Sequence, residues 1–270
     1  MNTLARRFAA SSSASASALT KRKRFYKEVS VLTESVNGNQ HYQVALDHRI
    51  LKTQGGQVLK LESEPLALAI AEEWASQEEF LQIGQMRLTG LAFTAQDNPL
   101  EQTTDSVTEK VVDYLHGDTV LFWNTESSKL HRNQIEKWGP LIKNINDDLN
   151  VSLRASESIM DADVCKPEDS EKIARWIRQH NLPSLIGIQY ATESIKSFVI
   201  AYNTINMHID AETAVDAGTL EQRIQAETWG SVEWAHGIER EELLSRLSAA
   251  ALFVYFNSNK LTKQEIKATA

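Results

Sequence analysis

The spacing of the hydrophobic residues changes near the dipeptide Asn98–Pro99, and this change restricts the fold more than any other feature. Between Phe25 and Leu61, apolar and polar residues alternate in short runs such as "FYKEVSV" and "YQVAL", which is the period of a half-buried strand. Beyond Asn98, apolar residues recur every three or four positions, as on one face of an α-helix. The sequence therefore predicts a small sheet followed by a mainly helical unit.

The N-terminal part is expected to pair a sheet with one helix. Gly55-Gly56 separates two short apolar runs, as a hairpin turn requires, so an antiparallel meander is predicted. The period then lengthens, and Ser63 or Glu64 followed by Pro65 is typical of a helix start. One face of this helix would carry Leu66, Ile70, Trp74 and Gln77.

Helices dominate the second part. "SVTE" at 106–109 predicts a capping box, and Gly139-Pro140 is expected to break or kink the helix around it. After Pro183 the apolar positions step by three and four without a miss, which predicts one long helix through Leu185, Ile188, Thr192, Ile195, Val199 and Tyr202. "EELLSRLSAAALFVYF" predicts the last helix. Two strand-like pieces, "DTVLFW" and "VSLRAS", interrupt the helices and are expected to pair.

The first 27 residues hold seven basic and no acidic side chains and are rich in serine and alanine. This composition is typical of a mitochondrial transit peptide, with cleavage expected between residues 18 and 25. A basic disordered tail, or a nuclear signal built on "KRKR", is the alternative. The chain has 28 basic and 36 acidic residues, so residues 28–270 hold 21 against 36 and a charge of about −15. Such a surface disfavours nucleic acid and favours a basic partner, or serves only solubility.

Several classes of function are disfavoured by what the sequence lacks. Cys165 is the only cysteine, which excludes an internal disulfide and multi-thiolate metal sites. The longest strongly apolar run, at 249–256, has eight residues against about 20 for a membrane helix, so no membrane insertion is expected. No phosphate-binding loop, dinucleotide fingerprint, serine-nucleophile elbow or zinc-protease motif occurs. We therefore expect no cofactor and no nucleotide site.

The segment "ETWGSVEWAHG" at 227–237 contains the residues closest to a metal motif. On a helix, Glu233 and His236 would lie three apart and could share a metal ion, as in di-iron bundles. Such a site needs a second Glu-x-x-His, and only Asp113-x-x-His116 comes near it. A metal-dependent helical-bundle enzyme is one hypothesis, and a histidine that packs or caps a helix end is the other.

The same segment carries two tryptophans in an acidic setting. Trp229 and Trp234 flank Gly230 and lie among Glu227, Glu233, Glu239, Glu241 and Glu242. Large amphipathic rings beside charge are typical of protein interfaces. The alternative is that both tryptophans pack at a junction between two helices.

At this point the sequence resembles a known family. Residues 220–256, "LEQRIQAETWGSVEWAHGIEREELLSRLSAAALFVYF", resemble the C-terminal signature of the F₁ complex assembly factor 2 family, the mitochondrial chaperones of the ATP synthase α subunit. Upstream, "RFYKEVSV", "YQVALDHRILKTQ", "AIAEEWASQ", "MRLTGLAFTAQD", "YLHGDTVLFW" and "IEKWGPLI" follow in the family's order. The resemblance spans about residues 24 to 256, and "WGSVEWAHG" is its most specific segment.

The resemblance implies an α+β protein with a defined division. Residues 1–23 would be the transit peptide, 24–97 an N-terminal domain of a small antiparallel sheet plus helix, 98–257 an orthogonal helical bundle, and 258–270 a tail. It also implies a non-catalytic, monomeric protein of the mitochondrial matrix that holds the unassembled α subunit until F₁ forms. The expected partner-binding residues are Glu221, Glu227, Trp229, Glu233 and Trp234. Besides the metal enzyme built on Glu233 and His236, a permanent subunit of the matrix or inner membrane remains a rival hypothesis.

Overall fold

The computed structural model describes residues 22–36, 38–158, 160, 162–230 and 233–268. Side chains are described for the same residues except 36, 162, 228, 229, 233–236 and 259–268. Three strands and ten α-helices lie within these ranges. The strands are β1 (Val29–Val36), β2 (Asn39–Leu46) and β3 (Arg49–Ile50). The helices are α1 (Glu64–Ala75), α2 (Arg87–Asp97), α3 (Thr104–Asp113), α4 (Ser128–Leu149), α5 (Pro167–Arg178), α6 (Leu182–Ile195), α7 (Phe198–Ile205), α8 (Ala211–Gly218), α9 (Leu220–Trp229) and α10 (Glu233–Ala268). The predicted fold class, α+β, is confirmed.

The predicted antiparallel meander is present. β1, β2 and β3 follow one another in the sheet, and β1 pairs with β2 in a register that joins Val29 to Leu46. The predicted glycine turn closes a further hairpin, because Gly56 has φ +83° and Lys52 bridges Val58. A positive φ is the conformation that glycine adopts without steric cost.

Helix α1 covers this sheet, as its pattern predicts. The Ser63 hydroxyl accepts a hydrogen bond from the Leu66 N–H at 3.4 Å, and Pro65 lies in the first turn. Leu66, Ile70 and Trp74 are buried, with Trp74 only 8% exposed. The capping residue and the apolar face were therefore both identified from the sequence.

The first residues that the structure describes are already part of this unit. The Arg22 carbonyl accepts a hydrogen bond from the Leu81 N–H at 2.8 Å, and the Arg24 N–H donates to the Glu79 carbonyl at 2.9 Å. The Arg24 guanidinium also donates to the carbonyls of Ala75 and Gln77, just beyond the end of α1. Residues 22 and 23 were placed in the transit peptide, yet they pair with the loop that follows α1.

Helix α2 begins with a cap supplied by another helix. Its own N-cap, Met86, makes no side-chain cap hydrogen bond. Instead the Glu73 carboxylate of α1 accepts from the N–H groups of Leu88 and Thr89, both at 2.8 Å. The helix ends at Asn98, which adopts a left-handed φ of +39°. This is the position where the change of period predicts a boundary.

Two features of the next helices differ from prediction. The capping box lies at Thr103 and Ser106, so α3 begins earlier than "SVTE" implies. Helix α4 continues through Pro140, although a proline inside a helix costs about 3 kcal/mol. Trp138, Leu141 and Ile145 are buried on either side of it, and their burial stabilises the uninterrupted helix.

The long helix predicted after Pro183 is two helices. Lys196 has φ +62° and ends α6, and the Ser197 hydroxyl accepts from the Ile200 N–H at 3.1 Å to start α7. The apolar spacing continues across the break because both helices bury residues in one core. The spacing alone therefore could not reveal the turn.

Two hydrophobic cores lie side by side. One is formed by the sheet, α1 and α2, and the other by the helices from α3 onward. Helix α10 contributes to both, with Phe253 in the first core and Leu247 in the second. Within the described part of the chain, no helix has the length and apolar character needed to cross a bilayer.

Candidate partner-binding site

Helix α9 carries two of the predicted partner-binding residues and lies beside two cavities. Glu221 lines a cavity of about 600 Å³ together with the loop that follows α3. Glu227 lines a second cavity of about 390 Å³ between α9 and the start of α10. We call Glu221, Glu227 and these two cavities the α9 site.

Glu221 is half-buried and fixed by a buried amide. Its Oε1 accepts a hydrogen bond from Nε2 of Gln134 in α4 at 2.9 Å. Gln134 is itself fully buried, and its Oε1 accepts from the Asn124 N–H at 2.8 Å. The Glu221 carboxylate is thereby held at the edge of its cavity in a defined orientation.

Glu227 is exposed and forms an ion pair with Lys129 of α4. Its carboxylate accepts a hydrogen bond from the Lys129 ammonium, and both side chains are more than half exposed. This hydrogen bond lowers the pKa of Glu227 below its ordinary value, so the carboxylate stays ionised. An exposed pair of this kind contributes little to stability, because solvent screens it.

The larger cavity brings together acidic and aromatic groups that were not predicted. Phe122 and Trp123 line it with Glu126 and Glu157. They meet there because Phe122 forms a parallel bridge with Ser156, the contact expected between the two strand-like pieces. That expected pairing was the only sequence signal that could have placed Trp123 beside Glu157.

Two ion pairs border the smaller cavity. Asp216 of α8 accepts from Arg223 of α9 at 3.1 Å and from Arg240 of α10 at 3.4 Å. Arg223 and Arg240 both line the cavity beside Glu227. This part of the α9 site therefore carries charges of both signs.

The remaining predicted residues lie at the junction of α9 and α10. Trp229 is the last residue of α9, Gly230 follows with φ +91°, and Glu233 and Trp234 begin α10. The side chains of Trp229, Glu233, Trp234 and His236 lie outside the described residues, so the proposed metal pair stays a prediction. Among the side chains that the structure does describe, no group of three His, Cys, Asp or Glu residues is placed to hold a metal ion.

Comparison with known proteins shows which family the chain is similar to. The sequence model of the ATP12 chaperone protein family matches residues 23–146. The mitochondrial protein atp12 of Schizosaccharomyces pombe is 28% identical over 244 residues, which is 85% of this chain and 81% of that protein. The crystal structure of Atp12 from Paracoccus denitrificans is also 28% identical, covers 87% of this chain and 98% of its own, and superposes with a TM-score of 0.76. A mutant of the P. denitrificans protein matches over the same shares at 28% identity with a TM-score of 0.77.

The chain is similar to the ATP12 chaperone family. The resemblance predicted from the sequence is thus confirmed. The residues matched by the ATP12 family model include α4 up to residue 146, and this part of the helix supplies Lys129 and Gln134 to the α9 site.

The chemistry of the α9 site agrees with a binding role of the kind that the ATP12 family name describes. Its carboxylates lie at the surface, where they can pair with lysine or arginine of another chain. Cys165, the one cysteine, is buried, and burial raises the pKa of its thiol, so it is a poor nucleophile.

Proposed function

We propose that this chain is an ATP12-family chaperone, which binds the unassembled α subunit of the mitochondrial ATP synthase F₁ sector and shields its β-facing surface until F₁ assembles. Binding is transient, because the β subunit must displace the chaperone. The chaperone acts as a monomer, without nucleotide or metal.

The α9 site is the observation that supports this proposal most directly. It presents Glu126, Glu157 and Glu221 around Phe122 and Trp123. An unassembled subunit exposes apolar surface that its final partner would cover, and an aromatic group within a charged rim can cover such a surface. Glu227, Trp229, Glu233 and Trp234 would extend the contact along the junction of α9 and α10.

We also propose the mitochondrial matrix as the location. The related protein of S. pombe is named as mitochondrial, and the basic, serine-rich first 27 residues have the composition of a matrix-targeting segment. Since Arg22 and Arg24 hydrogen-bond within the folded unit, processing before Arg22 would leave that unit complete.

The test is suppression of α-subunit aggregation on co-expression. We expect Glu227→Lys to weaken binding of the α subunit by about tenfold, which corresponds to about 1.4 kcal/mol. The double variant Glu227→Lys/Lys129→Glu restores the ion pair but leaves the reversed charge on α9. We expect the double variant to bind as weakly as the single variant, because the α subunit contacts the side chain at position 227, whose charge is still reversed.

Two further variants and one control complete the design. Trp229→Ala and Glu233→Lys are expected to weaken binding while circular dichroism and melting stay unchanged. Glu109→Lys reverses an exposed acid on α3 and is expected to bind normally. Normal binding by Glu227→Lys, Trp229→Ala and Glu233→Lys together would show that the α subunit does not use the α9 site.

A further inference from the structure

The N-terminal unit contains a groove that the α9 site does not involve. Its larger cavity, about 740 Å³, lies between the sheet and α2, and a second cavity of about 360 Å³ lies between α2 and α6. Ile83, Met86 and Gly90 line both, so the two cavities adjoin along α2. We call these adjoining cavities the N-terminal groove. Each is large enough for the side chains of a ligand.

The N-terminal groove is apolar, and part of its apolar surface faces solvent. Its floor is formed by Leu46, Leu51, Trp74, Leu81 and Met86, which are buried. Its walls include Phe25, Ile83 and Leu100, which are 54%, 57% and 72% exposed. Exposed large apolar residues that line one continuous depression are typical of a binding surface.

One rim of the N-terminal groove is basic, in a chain that is acidic overall. Arg22, Arg49 and Lys52 line the larger cavity and are exposed, and none of its described lining residues is acidic. None of the three forms an ion pair with a described residue. Since residues 28–270 carry a net charge of about −15, this local excess of positive charge stands out. It favours a ligand that carries a negative charge.

The acidic groups near this rim are already engaged. Asp97 accepts from the Thr53 hydroxyl at 2.5 Å and the Gly55 N–H at 2.7 Å. Asp47 accepts from the backbone N–H groups of Lys27 and Glu28, both at 2.9 Å. At the far end, Glu193 accepts from Gln189, and Arg87 pairs with Glu242. None of these acids forms an ion pair with Arg22, Arg49 or Lys52 among the described residues.

A donor at the floor of the groove also lacks an acceptor. The indole Nε1 of Trp74 is buried and finds no hydrogen-bond acceptor among the described residues. A buried N–H without an acceptor destabilises the folded state. A bound chain could pair with this donor only after the indole moves, because the atom itself is not accessible to solvent.

From these observations we infer that the N-terminal groove binds an extended apolar segment of a client polypeptide that carries carboxylate side chains. Apolar side chains of the segment fill the two cavities, and its carboxylates pair with Arg22, Arg49 and Lys52. This is a second client contact, distinct from the α9 site. It rests on the chaperone role of the family and not on the identity of the client.

The first test uses a fluorescein-labelled peptide that alternates leucine and glutamate, and the full-length chaperone, with anisotropy as the readout. We expect saturable binding that weakens as salt is added, because exposed ion pairs are screened. The same peptide with lysine in place of glutamate is expected to bind at least about tenfold more weakly, a difference of about 1.4 kcal/mol. Equal binding of the two peptides would overturn the charge assignment.

Gly90 allows the groove to be filled without disturbing the fold. A Cβ atom at Gly90 would meet nothing within 4 Å, and the residue lies inside α2. Gly90→Leu is expected to abolish binding of the acidic peptide, and Gly90→Ala to weaken it less, because its added side chain is smaller. Both replacements raise helix propensity, so neither should unfold the protein. If Gly90→Leu binds the peptide as the wild type does, the groove is not the site.

Charge reversal on the rim tests the second element of the inference. Arg49→Glu is expected to weaken binding of the acidic peptide by about tenfold, and Lys110→Glu, an exposed residue of α3, serves as the matched control. Loss of binding in both variants would mean that only the net charge matters, which contradicts a localised site. Lauric acid as a competitor separates the ligand classes, since tighter binding of the fatty acid than of the peptide would also overturn the inference.

The peptide assay and the α-subunit assay fail independently. If the peptide binds as expected but the α subunit does not, the proposed client is wrong and the groove stands. If the α subunit binds and Gly90→Leu has no effect on either assay, the groove inference is wrong and the proposed function stands.

Discussion

At the scale of single residues, buried carboxylates in this chain act as structural connectors. Glu73 caps α2 from α1, and Asp118 joins the turn after α3 to the start of α7. Asp118 accepts from the Val120 N–H at 3.1 Å and from the Val199 N–H at 3.0 Å, and it is 1% exposed. Burial raises the pKa of Asp118 from 3.8 to about 6 despite these hydrogen bonds.

This pKa makes stability depend on pH in a defined direction. A raised pKa in the folded state means that the fold binds a proton more tightly than the unfolded chain does. The stability that this proton contributes is fully present below pH 3.8 and is lost as pH rises through about 6. We therefore expect wild type to lose up to about 3 kcal/mol relative to Asp118→Asn across that interval. Urea unfolding at a series of pH values measures it, and parallel curves for the two proteins would contradict it.

At the scale of elements, the close contact between α6 and α10 depends on one glycine. A Cβ atom at Gly187 would lie 2.7 Å from Cγ2 of Val254 and 3.3 Å from Cδ1 of Phe253. Both neighbours are buried, so they have little room to move. The two helices approach closely here because no side chain separates them.

Gly187→Ala is accordingly expected to destabilise the protein by about 1–3 kcal/mol, although alanine is the better helix former. Gly90→Ala on α2, where the space is open, is the matched control and is expected to be neutral or stabilising. Adding Val254→Ala to Gly187→Ala should relieve the overlap and recover part of the loss. Chemical denaturation measures the free energy of unfolding of all three variants. Equal stability of Gly187→Ala and Gly90→Ala would refute the packing argument.

At the scale of the whole molecule, α10 connects the two cores. Phe253 is buried among residues of the sheet, α1 and α2, and Leu247 is buried with the helical core. The predicted division into residues 24–97 and 98–257 remains a proposal, and the sheet core also draws on Ile186, Ala249 and Phe253. The N-terminal unit therefore completes its core with residues from the far end of the chain.

Two alanine substitutions in α10 are expected to destabilise different halves of the molecule. Phe253→Ala should cost about 3–5 kcal/mol and Leu247→Ala about 2–5 kcal/mol. In hydrogen–deuterium exchange, Phe253→Ala is expected to lower protection in α1 and α2, and Leu247→Ala in α7 and α8. Identical exchange patterns for the two variants would show that the cores do not respond separately.

Local signals in the sequence were sufficient for several elements. The alternation of β1 and β2, the Gly55-Gly56 turn and the Ser63 cap depend on interactions within a few residues, and the structure contains all three. The sequence did not predict that a turn at Lys196 separates α6 from α7, or that α4 continues through Pro140. Both features depend on how the helices are buried in the core, and the spacing of apolar residues carries no information about that. In the α9 site, Glu221 and Glu227 were predicted, whereas Trp123 and Glu157 are brought together by a bridge between distant segments.

The sequence by itself determined the α+β class, the placement of the sheet before the helices and the acidic character of the chain, because composition and period are local properties. Only the tertiary structure decided which groups meet: the cap that Glu73 places on α2, the two cores joined by α10, and the basic rim beside Trp74. These contacts join residues far apart along the chain. Their partners are selected by packing and by the pairing of buried polar groups, which no single segment contains.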